Sequence, residues 1–315
     1  MIEKFERTGS VLDDNESRTG RPVTVTTPQT VERVKALYED SPTTSQRKAA
    51  KQLGLCRSTL RKIMDDMLNL FPYKIQTQQP LTEQSEKKRL DFANEMLERI
   101  RTKKMDYKKI WFTDEAHFQL DGYVNKQNYR HWGTQNPHLG IARPLHPKRV
   151  TVWCAISYGR IIGPIFLTDS ITGPVYKEQI LEKSFRTIRR LGMIKSYWFQ
   201  QDGARPHSTD ENLGRIAEVF QDRIIGLGAP QKTGGGIDWP PYSPDINVCD
   251  FFLWGAVKDK VYANPIQDLE MLKDRITEEI QAIPEEQIHA AIENFYTRIQ
   301  HLVAIDGRHF ENLIH

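Results

Sequence analysis

The chain has 315 residues, and its 44 Lys and Arg against 41 Asp and Glu leave a formal net charge of +3. Apolar residues at 38% and charged residues at 27% describe a water-soluble globular protein of one large or two ordinary domains, which excludes a disordered chain. No apolar run reaches the ~18–20 residues of a bilayer span, Met1–Phe5 carries no signal-peptide core, and three scattered cysteines (Cys56, Cys154, Cys249) exclude a disulfide framework.

Near the start, Thr19-Gly20-Arg21-Pro22 lies in a turn-rich stretch. Such a segment is narrow and extended, so Arg21 is a candidate for an A·T-rich minor groove, with an ordinary linker turn as the alternative. Thr27-Pro28 then predicts a helix start. Val31, Val34 and Leu37 follow at helical spacing, and Ser41-Pro42 ends the run. A capping box, Thr43-x-x-Gln46, predicts a second helix carrying Ala49, Ala50 and Leu53, with Gly54 in the left-handed position that closes it. A third helix is expected from about Arg57, with Leu60, Ile63 and Met64 inward. Two short helices joined at a glycine make a helix-turn-helix, whose second helix enters the major groove in DNA-binding versions.

Between Thr44 and Met64 stand Arg47, Lys48, Lys51, Arg57, Arg61 and Lys62, without an acidic residue. Lys and Arg displace counterions from phosphates, so Arg47, Lys48, Arg57, Ser58, Arg61 and Lys62 are the candidate DNA contacts of this module. A protein-binding trihelical bundle is the alternative. A second basic cluster, Arg99, Arg101, Lys103, Lys104, Lys108 and Lys109, is interrupted only by Asp106, and either cluster could instead be a solvated helix face. Before it, Lys87-Lys88-Arg89 reads as the wet face of a helix whose apolar positions are Leu90, Ala93 and Leu97.

From about Tyr107 the pattern turns to strands. Ile110-Trp111-Phe112-Thr113 is a buried-strand run that delivers Asp114. Val150–Ser157 and Ile161–Leu167 flank Tyr158-Gly159-Arg160 as a hairpin. Tyr197–Gln201 is an aromatic strand ending in Asp202-Gly203. Helices are expected near Val175–Leu191 and Thr209–Phe220, and two more amphipathic ones over Ile266–Ile276 and Ile288–Ile299. Between Trp239 and Gly255, WPPYSPDINVCDFFLWG carries Pro244-Asp245 as a helix start and Asp250 within a buried helix. Carboxylates among apolar residues are costly to desolvate unless they are paired or hold a cation. Three that converge make a hard oxygen site suited to Mg²⁺, or to Mn²⁺ in its place.

WFTDEAHFQLDG (Trp111–Gly122), FQQDGARPH (Phe199–His207) and the Trp239–Gly255 block resemble the three signature blocks of mariner-like transposases, with the basic helix-turn-helix and its Gly20-Arg21-Pro22 linker in the matching place upstream. The resemblance implies an α/β chain: a helix-turn-helix three-helix domain followed by an RNase H-like catalytic domain, a mixed sheet with helices on both faces. It implies catalytic, metal-binding aspartates at Asp114, Asp202 and Asp250, two Mg²⁺ ions, cleavage of terminal inverted repeats in double-stranded DNA, joining of 3′ ends to a TA target, a homodimer and a nuclear protein. Asp245 competes with Asp250, but the motif makes the final acid the ligand and leaves Asp245 as an N-cap. Phe5–Val11 resembles the tail of a first helix-turn-helix most of which is missing, giving an N-terminally truncated pattern: residues 1–27 as this remnant and linker, 28–70 as the DNA-binding domain, 71–105 as a helical linker and 106–315 as the catalytic domain. Val248 stands where the family commonly has Pro, and the long spacer before Asp250 makes Gly234–Gly236 a candidate surface insertion. A truncated or co-opted DNA-binding protein without catalysis is the alternative. Glu115 is expected on the strand face opposite Asp114. His207 is expected either to position DNA or water or to act as a polar cap, and Arg205 is a candidate phosphate contact with an ordinary loop role as the alternative.

Overall fold

The computed structural model describes residues 25–72, 80–120, 148–167 and 170–310. The chain divides into two compact units, Met1–Gln76 and Thr77–His315. Among the described residues no helix is long and apolar enough to cross a membrane.

In the first unit, α1 (Pro28–Asp40) starts at the N-cap Thr27, whose hydroxyl accepts from the Thr30 N–H. The second helix, α2 (Gln46–Leu53), is capped by Ser45, which accepts from Lys48 N, and not by the expected Thr43 box. Gly54 adopts φ 68°, ψ 29° and returns its N–H to α2 carbonyls, as the sequence predicts. Cys56 caps α3 (Arg57–Lys62), which runs on as a π-helical turn, Ile63–Met67. Its exposed thiol takes hydrogen bonds from Ser58 and Thr59 that lower its pKa to about 7. Val34, Ala49, Ala50, Leu60, Ile63 and Met64 form the core of this trihelical unit.

The second unit opens with α4 (Glu83–Arg101), capped by Thr82, and is built on a five-stranded mixed sheet of order β3-β2-β1-β4-β5. The strands are β1 (Ile110–Gln119), β2 (Arg149–Ser157), β3 (Arg160–Leu167), β4 (Trp198–Gln200) and β5 (Ile224–Ile225). β1, β2 and β3 are antiparallel, whereas β1–β4 and β4–β5 are parallel. A π-helical turn, Tyr176–Leu181, leads into α5 (Glu182–Arg190); α6 (Asp210–Phe220) and the short α7 (Ala229–Thr233) follow. The motif helix is a π-helical turn, Cys249–Leu253, continuing as α8 (Trp254–Val261), and α9 (Leu269–Gln281) and α10 (Glu285–Ala304) complete the unit.

Strand alternation sorts the core onto two faces. Ile110, Phe112, Ala116 and Phe118 pack with α4, α8, α9 and α10, whereas Trp111 packs on the other face with α5 and α6. Asp114 therefore points to the α8 side and Glu115 to the α5 side. Gly234–Gly236 is not a surface insertion: Gly234 ends α7, a side chain at Gly236 would meet Ile224 O at 2.7 Å, and Ile237 bridges to Ile225 at the sheet edge.

Two other expectations are corrected. Arg89 is not on a wet face but fully buried, and Asp245 is not a helix N-cap. The Arg89 guanidinium holds both Asp245 oxygens, at 2.8 and 2.5 Å. Its remaining donors reach Gly307 O, Tyr242 O, Ser243 Oγ and Arg308 O. A motif loop, the helix α4 and the chain after α10 are thereby tied at one buried point. Gly307 fits there because it has φ 82° and an added Cβ would lie 2.1 Å from Glu86 O. The side chain that opens the motif helix is Asn247, whose Oδ1 accepts from Cys249 N at 3.2 Å.

Candidate active site

β1 and β4 run parallel with Phe112 beside Gln200, so two residues further on Asp114, midway along β1, and Asp202, just past the end of β4, come on adjacent segments. Thr113 locks the two ends together: its N–H donates to Gln200 Oε1 and its hydroxyl to Gln200 O at 2.7 Å. From the α8 side, Trp254 Nε1 donates to Asp114 Oδ2 at 2.8 Å. Asp250 precedes Trp254 by about one helical turn, and its charge acts on Asp114. Asp245 lies apart, held by Arg89.

The electrostatics differ sharply between the three acids. Burial, then the charges of Asp250 and Glu115, push the Asp114 pKa well up, and the Trp254 bond only partly offsets them. Burial, then the charge of Asp202, push the Asp250 pKa up to about 6, and the Asp114 and Asn247 side chains and the Lys258 charge only partly offset them. Asp202 goes the other way. Burial opposes its ionisation, but the His207 imidazole and the Ala204 N–H hold it below the usual carboxylate range.

His207 is 2% exposed and sits between two carboxylates, with Nδ1 2.5 Å from Asp202 Oδ1 and Nε2 3.2 Å from Glu115 Oε1. Burial alone would lower its pKa; the Glu115 charge and the two hydrogen bonds overcome that and raise it to about 10. It is thus an imidazolium at neutral pH and donates from both nitrogens. Its ring lies against Tyr176, 4.2 Å between centroids, and Tyr176 O–H bonds Gln201, whose Nε2 donates to His207 O. The Asp202 carboxylate consequently has one oriented oxygen, Oδ1, shared by His207 and Ala204 N, while Oδ2 carries no partner among the described residues.

Glu115, His207 and Trp254 surround the three aspartates; the sequence singles out Glu115 and His207 but gives no role to Trp254. Alternation along β1 places Glu115 behind Asp114, but its pairing with a residue 92 positions away is tertiary information. Arg205 is exposed. Arg47 and Lys48 on α2 and Arg57, Ser58, Arg61 and Lys62 on α3 are all exposed on the first unit, where Arg61 Nε also reaches Asp65 at 3.1 Å. Arg21 lies outside the described residues.

Among the described residues no three His, Cys, Asp or Glu side chains already enclose a common ion position. The donor chemistry fits a hard divalent ion nevertheless. Asp114 and Asp250 are carboxylates close enough for the charge of Asp250 to raise the Asp114 pKa, Asp202 adds its charge to both, and Asp202 Oδ2 is unengaged among the described residues. A carboxylate pair of this kind must share a proton or gain a cation.

No protein-family model matches the chain. It is 22% identical over 317 residues to the human histone-lysine N-methyltransferase SETMAR, covering 98% of this chain and 43% of that protein, so it spans less than half the length of this relative. A crystal structure of the Mos1 mariner paired-end complex with Mn superposes with a TM-score of 0.72 at 18% identity, over 98% of this chain and 88% of that one. Its fold is that of a mariner transposase. The catalytic domain of Mos1 transposase alone matches with a TM-score of 0.55 at 17% identity, over 75% of this chain and the whole of that one. The mariner fold accounts for both units: the helix-turn-helix and the RNase H-like mixed sheet.

Proposed function

We propose that the chain is a metal-dependent DNA transposase of the cut-and-paste type, acting in the nucleus as a homodimer on terminal inverted repeats and a TA target. The single observation that supports the chemistry is the placing of Asp114 on β1 and Asp202 just past β4, neighbouring parallel strands, with the charge of Asp250 on the motif helix acting on Asp114. Asp114, Asp250 and Asp202 Oδ2 would hold Mg²⁺ or Mn²⁺. Two such ions supply charge neutralisation at the scissile phosphate and an activated oxygen nucleophile. The chain's own part is positional: Thr113 and Gln200 fix the strand ends, Trp254 orients Asp114 and His207 orients Asp202. In this reading water attacks the phosphodiester first, and the freed 3′-hydroxyl attacks target DNA afterwards. The exposed basic residues of α2 and α3, together with Arg21, would hold the repeat DNA. Support for a divalent ion and for DNA comes from the Mos1 structures, which are described with Mg, with Mn and with transposon-end DNA.

A co-opted DNA-binding protein without catalysis is the second reading. It draws on the fact that no three acidic side chains among the described residues enclose a common ion position. Incubation with Mn²⁺ and a duplex bearing the element's terminal repeats separates the two. The transposase cuts the duplex and Asp202→Asn loses cleavage by more than 100-fold with DNA affinity unchanged, whereas the pure binder shifts the duplex uncut. Retained nicking by Asp202→Asn overturns the assignment of the site.

A further inference from the structure

From Lys183 to Lys195 the chain carries five basic residues, Lys183, Arg186, Arg189, Arg190 and Lys195, and no acidic one. All five are exposed on α5 or the turn that follows it, as is Arg160 at the start of β3. Arg160 and Lys183 line one groove between the edge strand and the helix. None of the six side chains makes a hydrogen bond or an ion pair among the described residues. In the 99–109 cluster of this unit four of the six basic residues are answered by acids: Arg99 by Glu95, Arg101 by Glu98, Lys108 by Glu293 and Lys109 by Asp106. Two acids near this face are engaged elsewhere, while Glu178 is exposed on the turn before α5. Glu182, which also feels Arg186, is held by Arg215 at 2.6 Å, and Asp106 caps the turn before β1. The helix dipole accounts for Arg189 and Arg190 in the last turn of α5, but not for Lys183 and Arg186, nor for Arg160 from another element.

We propose that the outer face of α5, with Arg160 and Lys195, is a second docking surface for the phosphate backbone of duplex DNA, carried by the catalytic unit itself. The proposal rests on the reading that DNA is the substrate. The nine residues of α5 rise about 13 Å, which spans roughly four phosphates of one strand. The surface holds DNA without cutting it, because α5 leads to the start of β4 and Asp202 follows its end. Recognition there is by charge, so it is indifferent to sequence.

The test uses the full-length chain and a random-sequence duplex titrated across a range of salt. R186A/R189A/R190A, on an exposed face, keeps the melting temperature of the parent. Its affinity at about 100 mM salt falls at least tenfold, and the slope of log K against log salt drops by about 3, one for each lost phosphate contact. R186K/R189K/R190K keeps the parent's affinity, because the contact needs only the charge. An R57A/R61A/K62A chain weakens binding independently and additively. Parent-like affinity in R186A/R189A/R190A overturns the proposal and leaves this face to an acidic protein partner. Equal losses in the lysine and alanine variants overturn it as well. A parent chain that binds no duplex at all removes both this inference and the DNA substrate beneath it.

Discussion

Two carboxylates five residues apart in one motif, Asp245 and Asp250, have opposite fates. Asp245 is 4% exposed, yet its charge is matched on both oxygens by the buried Arg89, and its carbonyl accepts from Arg298 at 2.7 Å. Asp250 is solvent-exposed, yet it faces Asp114 and Asp202 with no cation of the protein's own placed between them, and both it and Asp114 resist ionisation. A carboxylate supplied with an internal guanidinium is a tie between chain segments. A carboxylate opposed by other carboxylates is a place left for a cation from outside. The more buried of the two acids is the structural one, and its guanidinium partner is what allows it to be buried.

The comparison breaks first at Arg89. Arg89→Ala leaves the Asp245 charge buried and unpaired and also removes the bonds to Gly307 and Arg308, so unfolding in urea should show a loss of roughly 3–5 kcal/mol. Asp245→Asn should lose somewhat less, since the amide still accepts from the guanidinium. If either variant unfolds at the parent's urea midpoint, the pair is not the tie described here.

His207 gives the next effect. Its pKa of about 10 in the folded chain exceeds the ordinary 6.5, so between these values the folded state holds a proton that the unfolded state has released. Its contribution is complete below about pH 6.5 and is lost as pH rises toward 10, for a total of the order of a few kcal/mol. His207→Gln should flatten that part of the stability–pH curve while reducing divalent-dependent cleavage through a mispositioned Asp202. Superimposable curves for parent and variant between pH 6.5 and 10 would mean that the imidazole is neutral in the fold.

Much of this was legible in the sequence, for local reasons. Thr27-Pro28 and Gly54 act on their own backbone neighbours, and the alternation in Ile110–Phe118 needs only one buried sheet face on each side. The misreadings are those in which a distant partner decides. Lys87-Lys88-Arg89 looks wet because nothing nearby hints that Arg89 meets Asp245, 156 residues away. Thr43 offers a capping pattern as good as Ser45 until the turn geometry selects one. Charge density singled out the 99–109 cluster, most of which has acidic partners, and passed over Lys183–Lys195, which has none. The resemblance points to Asp114, Asp202 and Asp250, and the sequence singles out Glu115 and His207, but the Glu115–His207 pairing and the Trp254 contact appear only when strands and helix are brought together.

The smallest effect sharpens the comparison most. If Asp250 stands against other carboxylates, removing its charge should relieve the fold: Asp250→Asn, measured in chelator at pH 7, should melt a few degrees higher, a gain of the order of 1 kcal/mol once solvent screening of this exposed group is allowed for. The sign follows from its pKa of about 6 against the ordinary 3.8, because the unfolded chain ionises first and the fold is penalised as pH rises between the two values. Adding Mn²⁺ should reverse the ranking, raising the parent's melting temperature by linkage and leaving Asp250→Asn nearly unmoved. Asp245→Asn should behave in the opposite manner, destabilised in chelator and still stabilised by Mn²⁺, because Arg89 already fills the place of its cation. A parent whose melting temperature ignores Mn²⁺ would put Asp250 in the same class as Asp245, as an acid that serves the fold alone.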